Sequence, residues 1–111
     1  MKTRAIPSAV KADVERTVSS FNEATFPDPE AEHYTVRFAG PHAYLDRSGA
    51  DFVVPCPVCR LTYTGDPAQW EFAIYKYSRA RYDPEEWMFP GAGLVDGTVE
   101  GALKAGMKAY P

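Results

Sequence analysis

The hydrophobic period of this chain changes near residue 33, and that change divides it into a helical part and a sheet part. Before it, Val10, Val14, Val18 and Phe21 recur at spacings of four, four and three, which is one face of an amphipathic helix. Lys11, Asp13, Glu15 and Arg16 occupy the opposite, solvated face. Pro7 suits the first turn of that helix and Ser8 its cap. The two prolines within residues 26–32, Phe-Pro-Asp-Pro-Glu-Ala-Glu, end it because they cannot continue the hydrogen-bond ladder.

From Tyr34 the period is two. Tyr34, Val36 and Phe38 alternate with Thr35 and Arg37, the pattern of a half-buried strand. Ala-Gly-Pro then turns the chain into His-Ala-Tyr-Leu-Asp, and Asp-Arg-Ser-Gly is expected to turn it again into the apolar Phe52-Val53-Val54. A further strand holds Cys59, Leu61 and Tyr63 on one side and Arg60 and Thr62 on the other. In the next, Trp70, Phe72 and Ile74 share a face, opposite Ala73, Tyr75 and Tyr77. A short last strand fits around Arg81 and Tyr82. Short turns between successive strands predict an antiparallel meander.

The tail carries Val99, Leu103, Met107 and Tyr110, again at spacings of four, four and three. A short second helix beginning near Asp96 or Thr98 follows, although Gly101 and Gly106 each cost it about 1 kcal/mol relative to alanine. Residues 87–97, aromatic and then glycine-rich, read as an ordered loop held by Trp87 and Phe89. The expected class is therefore α+β: an N-terminal helix, a four- or five-stranded antiparallel meander and a short C-terminal helix. At 111 residues the whole chain, 1–111, is expected to form one domain.

The segment Pro-Val-Cys-Arg-Leu-Thr-Tyr, continuing through Trp70 to an Arg-Tyr-Asp ending, resembles a family of small uncharacterised bacterial domains of unknown function. Pro57, Val58, Arg60, Leu61, Tyr63, Trp70, Tyr75, Tyr82 and Asp83 carry the resemblance, which spans residues 34–83. It implies a helix followed by a strand meander and implies no activity. Cys59, where that family tends to have alanine, and the glycine-rich tail depart from the pattern.

Four constellations bear on function. Cys56-Pro57-Val58-Cys59 has the form of a zinc knuckle, but zinc takes four ligands and the chain has two cysteines. His33 and His42, or a second subunit, would have to complete the set. A redox pair needs its first thiol at a helix N-terminus, and here a strand follows. The competing reading makes Cys59 a small core residue beside Leu61 and Tyr63. If the strand begins at Cys56, an offset of three points the two thiols to opposite faces.

The second constellation is Tyr75, Tyr77, Arg79 and Arg81, with Arg60 on the same sheet face. Tyrosine beside arginine suits stacking on single-stranded nucleic acid, whereas a formal charge of −3 disfavours a polyanion partner. The same face suits a protein partner or a second copy of the chain. His33, His42, Asp66, Asp83, Glu85 and Glu86 supply acid–base groups, but their spacing shows no convergence. Pro-Gly-Ala-Gly-Leu-Val-Asp-Gly lacks the lysine and hydroxyl residue of a phosphate loop and the third glycine of a dinucleotide fingerprint.

These readings favour a non-enzymatic binding module, expected to self-associate as a homodimer, over a zinc or thiol protein. No run approaches the roughly 18 to 20 apolar residues of a membrane span. The N-terminus lacks a signal-like apolar stretch, so a cytoplasmic location is expected.

Overall fold

The computed structural model describes residues 5–111 and contains the expected α+β architecture. Helix α1 spans Ser8–Thr25, strands β1 to β5 span His33–Ala39, His42–Ser48, Cys56–Thr62, Glu71–Lys76 and Arg81–Asp83, and helix α2 spans Val99–Ala109. The strands lie in the order β1-β2-β3-β4-β5, every neighbour antiparallel.

Val14 and Val18 of α1 are buried, as their spacing requires. Pro7 takes the cap position with extended backbone and Ser8 is already helical, so the serine does not cap this helix. At α2 the capping is conventional: Thr98 accepts a hydrogen bond from the Gly101 N–H at 3.0 Å, satisfying one of the helix's orphan donors.

Both helices cover one sheet face, where Tyr34, Leu45, Cys59, Leu61, Ile74 and Leu103 are fully buried. A buried arginine ties α2 to that face. Arg47 on β2 donates to Glu32 Oε2 at 2.9 Å, to Tyr34 Oη at 3.3 Å and to the Gly106 carbonyl at 3.2 Å. Tyr34 Oη in turn donates to the Leu103 carbonyl at 2.9 Å. These bonds offset the cost of burying a guanidinium and fix how α2 sits on the sheet.

Two local expectations change. Asp-Arg-Ser-Gly does not turn the chain after residue 45, because β2 continues to Ser48, opposite His33. Asp46 and Arg47 lie opposite Thr35 and Tyr34 of β1, whereas Phe52-Val53-Val54 has no strand partner: Val53 and Val54 are exposed in a loop. The second change is a bulge. Leu45 lies opposite Cys59 but Asp46 lies opposite Pro57, so Val58 is an extra residue. A bulge reverses strand parity beyond it. Cys56 and Cys59 therefore face Arg47 and Leu45, which share a face, and the thiols are not set on opposite sides by the pleat.

Candidate functional site

The sheet face away from the helices is where the candidate binding residues meet. Register places Arg37, Tyr44, Arg60 and Ala73 in one row across four strands, and Tyr75 opposite Tyr82 in the next. Ala73 is the small member of its row, and it is buried. Its methyl leaves room for larger neighbours to lean across β4, and Tyr82 on β5 comes within 5.3 Å of Tyr44 on β2, ring centre to ring centre.

The result is an unbroken row of five tyrosines that starts on this face and runs round to Tyr110, the residue that closes α2. Tyr82 meets Tyr75 at 4.9 Å, Tyr75 meets Tyr77 at 4.8 Å, and Tyr77 meets Tyr110 at 5.4 Å. All three contacts are edge-to-face, the arrangement that the aromatic quadrupole prefers. Two hydroxyls anchor the far end of the row: Tyr77 donates to the Pro57 carbonyl at 2.7 Å, and Tyr110 donates to the Tyr75 carbonyl. Tyr77 is half exposed.

Guanidinium groups lie over the near end. Arg37 is 4.3 Å from the Tyr44 ring centre and Arg60 is 5.6 Å from that of Tyr82, distances at which the ring face attracts a cation. Arg37 Nε also donates to Asp46 Oδ2 at 3.1 Å. Beside this pair, Asp46 Oδ1, Arg60 Nε and Tyr82 Oη are buried without a hydrogen-bond partner among the described residues. Burial first, and then the Asp46 charge, pushes the Tyr82 phenol up to about 12. Burial, and then neighbouring Cys56, does the same to Tyr77, also to about 12. His42 donates or accepts at Thr62 Oγ1 across 3.0 Å, and burial followed by Arg60 lowers its pKa.

Arg79 and Arg81 stand apart from the row. Both are exposed and turn to Asp83, at 3.9 and 3.7 Å. Of the five binding residues expected from sequence, Tyr75, Tyr77 and Arg60 thus belong to one surface; Arg81 pairs with Lys76 on the other side of the pleat from Tyr75 and Tyr82, and Arg79 lies in the turn before β5. Tyr44, Tyr82, Tyr110, Arg37 and Asp46 were not anticipated. Alternation alone could have put Tyr44 on this face, but only strand register brings Tyr82 to it.

The four possible zinc ligands are distributed differently. His42 pairs with Thr62 at the far end of β3 from Cys56, about 20 Å away at the rise of a strand. His33 is two strands from β3 and its Nδ1 contacts the Pro29 carbonyl. Cys59 is fully buried while Cys56 is partly exposed, and both are free. Among the described residues, no group of three or more His, Cys, Asp or Glu side chains could hold a metal ion. The acid–base candidates do not converge either: Asp66 caps its own turn through the Ala68 N–H, and Glu86 pairs with Lys76 at 3.1 Å. Among the described residues no helix is long and apolar enough to cross a membrane.

Comparison of the chain with protein-family models, with curated proteins and with solved structures finds no match, so the reading of this face rests on its own geometry.

Proposed function

We propose that this protein is a small, non-enzymatic interaction module that pairs with a second copy of itself through the open sheet face. The observation that carries the reading is the contact row from Tyr44 to Tyr110, lined by Arg37 and Arg60. Tyrosine and arginine are the residues that dominate binding energy at protein interfaces, because they add large contact area and directed polar contacts together. A second copy is favoured as the occupant because the face holds both signs of charge, Arg37 and Arg60 beside Asp46 and Glu71. In a two-fold contact each patch meets its own complement. Two unpaired thiols suit a reducing compartment, and the cytoplasm is part of this proposal.

The test is sedimentation equilibrium of the wild type over a rising concentration series, beside Tyr77→Ser and Arg37→Ala, with circular dichroism to verify folding. The expected result is a monomer–dimer equilibrium weakened by each variant, by about tenfold or more for Tyr77→Ser if it is an anchor. A monomer at every concentration would overturn the proposal, as would a dimer indifferent to both variants. Salt-sensitive binding of a single-stranded oligonucleotide, lost in the Tyr75→Ala, Tyr77→Ala double variant and without self-association, would reassign the face to nucleic acid.

A further inference from the structure

A concave surface lies on the helical side of the molecule, next to Tyr110, where the tyrosine row ends. Between the C-terminal turns of α1 and α2 there is an open groove of about 610 Å³. Its apolar lining is Phe21 from α1, Leu94 from the 3-10 turn, Met107 from α2, and Pro111. Leu94 is exposed and Phe21 and Met107 are only partly buried, so the fold itself does not cover them. The charged residues of the lining are Lys104 and Lys108, one helical turn apart on α2; Asp13 and Glu100 line the hollow that continues from it beyond Phe21 and Lys104.

The bland explanation of these lysines is helix electrostatics: a cation in the last turn of α2 is favourable against the helix dipole. That explanation accounts for Lys108. It does not account for an apolar groove left open beside two cations. Lys104 lies 3.8 Å from Glu100, one turn back along the helix and outside the groove lining, and both side chains are largely exposed. Such an exposed pair holds little energy, so Lys104 is free to turn to a ligand.

We propose that this groove binds an anionic amphiphile, a free alkyl carboxylate. Its chain would lie against Phe21, Leu94 and Met107 and its carboxylate between Lys104 and Lys108. The volume falls within the roughly 300–1,000 Å³ of small-molecule sites. Met107 adds an unbranched, polarisable side chain that adapts to a flexible tail. The proposal does not rest on self-association, since none of the groove residues belongs to the tyrosine row.

The experiment is an NMR titration with dodecanoate below its micelle concentration, following the Met107 and Leu94 methyl groups. Dodecyltrimethylammonium, with the same tail and the opposite charge, is the control. Saturable shifts confined to the groove with dodecanoate, and binding about tenfold or more weaker for the ammonium, are expected. The exposed-site double variant Lys104→Glu, Lys108→Glu should reverse that preference while leaving the fold's spectrum intact. No saturable shift, or equal binding of both amphiphiles, would overturn the proposal. Binding of anionic lipid vesicles or of an acidic amphipathic peptide to these residues, without binding of monomeric dodecanoate, would overturn it in favour of a membrane surface or a partner protein.

Discussion

The side-chain amide of Asn22 completes the backbone of Tyr34 as a neighbouring strand would. Asn22 Oδ1 accepts from the Tyr34 N–H at 2.8 Å, and Asn22 Nδ2 donates to the Tyr34 carbonyl at 2.9 Å. Tyr34 belongs to β1, an edge strand with a partner on one side only. One residue of α1 thereby anchors the helix to the sheet and occupies a backbone position that would otherwise template another chain.

Asn22→Leu should therefore be destabilising out of proportion to its partial exposure. Two hydrogen bonds are lost and two backbone groups are left unpaired, a cost of about 1–3 kcal/mol. Denaturant unfolding measures it, and hydrogen exchange at the Tyr34 amide should accelerate in parallel. Asn22→Asp keeps the acceptor alone and should fall between the two proteins. An unchanged Tyr34 exchange rate in Asn22→Leu would show that the amide is not the cap.

How much of this was legible in the sequence follows from the range of the interactions. Val14 and Val18 could be placed in the core from spacing alone, since a helix repeats locally, and the alternation around Phe72 and Ile74 marked a strand in the same way. The bulge at Val58 could not be read, because it is defined by which β2 residue each β3 residue meets. That single extra residue changes the relation between Cys56 and Cys59. Likewise Tyr44 and Tyr82, thirty-eight positions apart in the chain, meet only because three strand pairings and a small Ala73 bring them together. Val53 and Val54 misled for the opposite reason: apolar residues in a loop look like a strand until the pairing stops short of them.

Gly106 lets α2 approach the sheet closely at Tyr34 and Val58. A methyl group there would lie 2.3 Å from Tyr34 Oη and 2.6 Å from Val58 Cγ1. Gly106→Ala gains about 1 kcal/mol of helix propensity, but overpacking a filled site costs about 1–3 kcal/mol. The hydroxyl it displaces also serves Leu103. Net destabilisation is expected, seen as a lower unfolding midpoint. Tyr34→Phe should cost less in the Gly106→Ala background than in the wild type, and a double-mutant cycle reads that coupling directly. Strict additivity would mean that the helix shifts away rather than pressing on Tyr34.

The two cysteines should differ sharply in reactivity. Burial raises the pKa of the Cys59 thiol far above that of a free cysteine, with the nearby Asp46 charge acting in the same direction, and no reagent reaches a fully buried sulfur. Labelling of the native protein should stop at one thiol, and Cys56→Ser should abolish it. Unfolding should release both. Two rapidly reacting thiols in the native state would show that β3 opens at its bulge. Bound zinc with both thiols blocked would show that the Cys-Pro-Val-Cys turn rearranges around a metal.

Alkaline pH probes the tyrosine row itself. A free phenol loses its proton near pH 10, but Tyr77 and Tyr82 are held up to about 12 by burial. Above pH 10 the unfolded chain has released protons that the native state still binds, so stability must fall as pH rises. The contribution of these groups is fully present below about pH 10 and is lost progressively toward pH 12. Unfolding midpoints measured across that window should decline, and tyrosinate absorbance should appear later in the native protein than in denatured chain. Tyr82→Phe removes a buried hydroxyl that has no partner among the described residues, a change expected to be neutral or stabilising at neutral pH. The same variant should flatten the alkaline decline. Tyrosines that all titrate at the ordinary value in the folded protein would mean that the row is open to water, and the sheet face would then lack the packed aromatic surface on which self-association depends.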